Sequence, residues 1–63
     1  MTHNPTREIA RKLESMETPS LNRHLAMLAG IAEILSPRGR LEFALAGEIA
    51  ARRAAAVAHL IRR

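Results

Sequence analysis

Four polar side chains stand within six residues of the chain: Thr18, Ser20, Asn22 and Arg23. Hydroxyl and guanidinium groups bind phosphate oxygens, while asparagine pairs with adenine edges and arginine with guanine edges. Binding to a nucleic acid is therefore the chemistry that these side chains suit. These side chains can bind a nucleic acid together only if they lie on one short helix whose first turns are exposed.

Catalysis has no comparable basis in the sequence. The chain contains no aspartate, cysteine or tyrosine, and His3, His24 and His59 fall on separate segments. A nucleophile needs a neighbouring base, and two histidines that bind one metal from a helix lie a few residues apart. The three glycines are too scattered for a phosphate loop. We expect no enzyme activity, metal site or cofactor.

The elements that position these residues are three helices, predicted at about 5–17, 19–35 and 38–62. Twelve alanines and a single aromatic residue favour an all-α fold. Asn4-Pro5 is a typical helix start, and Thr18-Pro19 and Ser36-Pro37 interrupt the apolar periodicity and can cap the helices that follow. We expect residues 1–63 to form one small domain, either a short bundle or a helical hairpin.

Residues 8–13 (EIARKL) and 18–25 (TPSLNRHL) resemble the helix-turn-helix of response-regulator and quorum-sensing transcription factors. The resemblance implies that the second helix enters the major groove, with base contacts from Ser20, Asn22 and Arg23 and a phosphate contact from Thr18. Arg7 and Arg11 are expected to bind phosphates as well. The turn lacks the family's glycine, and the family's supporting N-terminal helix is missing. The third helix would have to supply that support.

Size and apolar patterning predict a homodimer. Sixty-three residues bury only about 60% of their unfolded surface, so a lone core is marginal. Both later helices carry more apolar surface than one short chain covers. The expected interface comprises small and apolar residues of the third helix, with three large residues near the end of the second: Phe43, Ala46, Gly47, Ala50, Ala54, Val57, Ala58 and Ile61, and Met27, Ile31 and Ile34.

Two functions remain open. The first is a helix-turn-helix-like transcriptional regulator that binds double-stranded DNA as a homodimer, consistent with a net charge of +4. The alternative is a protein-interaction module (an adaptor, inhibitor or assembly factor) that docks apolar helix faces on a larger protein. The uncharged runs fall short of the ~20 residues of a membrane span. We expect a cytoplasmic protein, and its alanine and arginine content is typical of bacterial or phage genes.

Overall fold

The computed structural model describes residues 4–62 as an all-α chain, and it places no strand among them. Helix α1 spans Pro5–Glu14, α2 spans Thr18–Gly30 and α3 spans Pro37–Ile61, with a short 3₁₀ turn at Ala32–Ile34. The predicted fold class and the three helices are confirmed. His3 and Arg63 lie outside the described residues.

The predicted helix starts lie within one residue of those observed, and the predicted caps are confirmed for α1 and α3 and wrong for α2. The Asn4 side chain accepts hydrogen bonds from the amides of Thr6 (3.1 Å) and Arg7 (3.3 Å). The Ser36 hydroxyl accepts one from the Gly39 amide at 3.2 Å. In α2 the cap position belongs to Glu17, which makes no side-chain cap bond, and Thr18 is already helical. Thr18 therefore does not cap the helix.

The first two helices are shorter than predicted. Helix α1 ends at Glu14 instead of residue 17, and α2 ends at Gly30 instead of residue 35. Beyond Gly30, the Ile31 amide bonds to the carbonyl of Leu28, three residues back, at 3.2 Å. This tighter pattern closes the α-helix, and glycine is the weakest helix former apart from proline. The apolar periodicity continues to Leu35 although the helix does not.

A small core joins the three helices through α3. Ile9 and Leu13 from α1 and Leu21 from α2 pack with two buried α3 residues, Ala46 and Ile49. Helix α3 packs against both other helices, and those two contact each other less than either contacts α3. Helix α3 thus supports both other helices.

The molecule is a thin layer. Its extents are 43 × 32 × 14 Å, so it is flattened along one direction. Its radius of gyration is 13.1 Å, against about 11 Å for a compact chain of this length. Its accessible surface is 5105 Å², whereas a compact monomer of 7.0 kDa exposes about 4,000 Å². The chain is therefore flatter and more exposed than a compact domain of its mass.

Candidate functional site: an arginine-held hairpin and two apolar patches

The turn between α1 and α2 is held by one side chain of α3. Arg53 Nη1 donates to the carbonyl of Met16 at 2.8 Å and to Thr18 Oγ1 at 3.3 Å, and Nη2 donates to the carbonyl of Glu14 at 3.0 Å. A guanidinium has five donors in a rigid fork, so it can satisfy several carbonyls at a helix end at once. Arg53 thereby fixes the point at which α2 leaves α1.

Sequence reasoning missed Arg53, although a local signal existed. Ala46, Ile49 and Arg53 are spaced three and four residues apart, so the arginine lies on the stripe of α3 that faces the core. An arginine there must find partners, because a half-buried charge without them is costly. One of its partners is Thr18, so the hydroxyl predicted to contact phosphate already accepts a hydrogen bond within the chain.

The outer face of α2 carries the predicted base-contacting residues. Asn22 and Arg23 are exposed and Ser20 is half-buried. Within residues 4–62, no hydrogen bond or ion pair engages the side chain of Asn22 or Arg23. No acidic residue occurs between Thr18 and Gly30, and the nearest before them is exposed Glu17. The α2 face is therefore polar, weakly positive and accessible.

His24 lies on the opposite side of α2 and joins it to α3. Its Nε2 is 3.4 Å from Glu42 Oε1, with both side chains about a quarter exposed. This pairing occupies His24 within the chain, so it leaves Arg23 as the cationic side chain on the outer face of α2.

The predicted phosphate contacts of α1 are exposed. Arg7 and Arg11 both face solvent. Arg11 also lines an open cleft between α1 and α3 that contains cations and carboxylates together, namely Glu8, Lys12, Arg38 and Glu42. The mixed charge makes this cleft a poor phosphate site by itself, so Arg7 and Arg11 are better regarded as flanking contacts to a long polyanion.

The predicted dimer interface divides at Arg53. Ala46 is completely buried within the chain, and half-buried Ala50 packs against the core. A Cβ placed on Gly47 would lie 3.9 Å from Leu25 Cδ1 of α2. These residues pack within the chain, because α1 and α2 cover the first half of α3, and Ala46 is wrong as a partner contact. Phe43 is half-buried, whereas Ala54, Val57, Ala58 and Ile61 are exposed.

Two patches of large apolar side chains remain exposed. The α3 patch comprises Val57, Leu60 and Ile61, which are 56%, 64% and 77% exposed. The α2 patch comprises three residues at and beyond the end of α2, namely Met27 (55% exposed), Ile31 (40%) and Ile34 (80%). Single exposed apolar residues are common on proteins, but clusters of them mark contact sites.

Residues 4–62 contain no group of three or more histidine, cysteine or acidic side chains placed to hold a metal ion. None of the described helices has both the length and the apolar character needed to cross a bilayer. The chain matches no family model, no curated protein and no solved structure.

Proposed function

We propose that this chain is a small, non-enzymatic regulator that acts as a homodimer and binds double-stranded DNA through the outer face of α2. The observation that carries the proposal is the accessibility of Asn22 and Arg23, whose side chains have no partner among the described residues. Both stand in the first turns of a helix that follows a three-residue bend, the position from which recognition helices contact bases.

The charge distribution agrees with this proposal. A regulator needs sequence-independent attraction to phosphates as well as contacts that read bases. Arg7 and Arg11 can supply the first from the exposed side of α1, and Asn22 and Arg23 can supply the second. The net charge of +4 favours approach to a polyanion. A dimer would present two copies of α2, so its site would be an inverted repeat. Transcriptional regulation in the cytoplasm is part of the same proposal.

Selection from a randomised duplex library, followed by titration of the selected duplex at several salt concentrations, tests the proposal. We expect an enriched inverted repeat and an affinity that falls as salt rises. The Asn22→Ala/Arg23→Ala variant should lose preference for that duplex over a scrambled one. Arg52→Ala removes an exposed arginine from α3 and is the matched control. Absence of salt-dependent binding to any duplex would refute the proposal.

A second candidate, docking on a larger protein, is favoured by the two apolar patches. On this hypothesis the chain is an adaptor, inhibitor or assembly factor. Capture experiments on nuclease-treated extract separate the two candidates. Protein docking predicts a partner that is lost with Leu60→Glu and kept with Asn22→Ala/Arg23→Ala, whereas DNA regulation predicts that nuclease abolishes the capture.

A further inference from the structure

We propose that two copies pair with their α3 helices antiparallel about a two-fold axis, so that the α3 patch of each copy covers the α2 patch of the other. This inference rests on the proposed homodimer and specifies its geometry. It concerns which surfaces meet, so it can fail while the dimer itself stands.

The two patches lie at opposite ends of α3. Thr18 bonds to Arg53, and farther along α2 His24 is 3.4 Å from Glu42, so α2 runs antiparallel to α3. The end of α2 and the 3₁₀ turn therefore lie near the start of α3, where Leu35 would contact a Cβ on Gly39 at 2.9 Å. The α3 patch occupies the other end of a helix about 37 Å long.

The α3 patch lies on the same face of α3 that α1 and α2 cover nearer the start of the helix. From Ile49 and Arg53, steps of four and three residues lead to Val57 and Leu60. The first half of this face packs on α1 and α2, but those helices do not extend beyond Arg53. A second copy brings an apolar cluster of matching size, its own α2 patch. In a layer 14 Å thick, the ends of the molecule are accessible to a copy stacked on it.

Charge complementarity selects the antiparallel arrangement. Glu33 is the only charged residue between residues 27 and 36, and it stands within the α2 patch between Ile31 and Ile34. Arg62 directly follows Ile61 of the α3 patch, and residues 54–63 contain no acidic residue. Antiparallel pairing brings each Glu33 near the Arg62 of the other copy. Parallel pairing would bring each charge near its own duplicate, and like charges across an interface are repelled.

The available area fits one such partner. The chain exposes roughly 1,100 Å² more than a compact monomer of its mass, from 5105 Å² against about 4,000 Å². A stable interface of ordinary size takes about 800 Å² from each partner. A two-fold dimer uses the same surface on both copies, so it covers both patches of both chains and leaves no open end.

Introduced cysteines test the geometry directly, because the chain has none of its own. Ile34→Cys and Leu60→Cys each place one thiol in one patch, and both side chains are exposed, so folding should be preserved. Each variant is incubated alone and as an equimolar mixture in a glutathione redox buffer. Ala44→Cys, exposed on α3 and outside both patches, is the control thiol.

Antiparallel pairing predicts that the mixture forms a disulfide between Ile34→Cys and Leu60→Cys. Its yield should be at least about tenfold higher than that of the disulfide that either variant forms with itself, because pairing raises the effective thiol concentration. Efficient self-crosslinking of Leu60→Cys would establish parallel pairing and overturn the inference, leaving the homodimer intact. A dimer without the mixed disulfide would also overturn it. A monomer in sedimentation of the unmodified chain would remove both this geometry and the homodimer.

Discussion

The guanidinium of Arg53 donates a hydrogen bond of 2.8 Å to the carbonyl of Met16, across 37 residues of sequence. This contact joins the turn that orients α2 to the point on α3 where coverage by α1 and α2 ends. Arg53 therefore adds a second polar connection, beside the His24–Glu42 pair, between the helix proposed to contact DNA and the helix proposed to dimerise.

Replacing Arg53 by alanine should destabilise the fold and loosen the orientation of α2. It removes three hydrogen bonds and leaves the carbonyls of Glu14 and Met16 without this donor. Hydrogen bonds to charged groups contribute about 1.5–3 kcal/mol, and Arg53 is only half-buried, so we expect a loss of about 1–2 kcal/mol. Urea unfolding followed by circular dichroism measures it.

The neighbouring Arg52 is the matched control for that variant. It is exposed on the same helix, and Arg52→Ala makes the same change in net charge. Its effect should stay within about 0.5 kcal/mol. Equal losses for the two variants would mean that charge, and not the contact with the turn, accounts for the effect of Arg53.

Gly47→Ala should stabilise the chain, while Gly39→Ala should gain less or lose stability. A Cβ at Gly47 makes an ordinary contact at 3.9 Å with Leu25, and alanine in a helix interior is favoured by about 0.5–1 kcal/mol. At Gly39 the added Cβ would lie 2.9 Å from Leu35 Cδ2, so Leu35 must move. Thermal unfolding distinguishes them. Destabilisation by Gly47→Ala would indicate that Gly47 is closely packed against a partner, as its place on the predicted interface of α3 suggests.

Base-reading and phosphate-binding residues should affect DNA binding differently. Arg23→Ala should reduce discrimination at one base pair by about 1–3 kcal/mol, because the side chain is exposed and unbonded in the described chain. Arg11→Ala should weaken binding to all duplexes and reduce the salt slope by about 1. Neither should alter thermal stability appreciably. If both variants changed only the salt slope, α2 would act as a nonspecific cationic surface.

Reversing charges should test the pairing of Glu33 with Arg62. Glu33→Arg or Arg62→Glu alone should weaken the dimer, by about 0.2–1 kcal/mol for each exposed pair, and the double variant should restore it. Sedimentation equilibrium at low salt measures the dissociation constants. In a parallel dimer, Glu33→Arg would replace one like-charged pair by another and the double variant would restore nothing.

Local signals in the sequence account for most of the fold. Asn4-Pro5 and Ser36-Pro37 start helices because their side chains cap amides within three residues, which is information carried by neighbours. The end of α2 was predicted wrongly because Ile31 and Ile34 continue the apolar spacing. That spacing does not reveal whether an amide bonds three or four residues back.

Nonlocal contacts account for what the sequence did not predict. Threonine is a residue type that often caps helices, but the Thr18 hydroxyl accepts a hydrogen bond from Arg53, 35 residues away. The predicted interface stripe on α3 is regular throughout, yet only its second half is exposed, since coverage depends on where α1 and α2 end. Exposure of Asn22 and Arg23 follows from the polar strip of α2, whereas their binding to DNA is a proposal that requires measurement.

The central claim is that this thin layer of helices covers its apolar patches with a second copy of itself. Sedimentation velocity of the unmodified chain at micromolar concentration tests it most directly. We predict a single species with twice the 7.0 kDa mass of the chain, and Leu60→Glu should shift it toward the mass of the monomer. A folded, monodisperse 7.0 kDa species over the whole concentration range would contradict the claim.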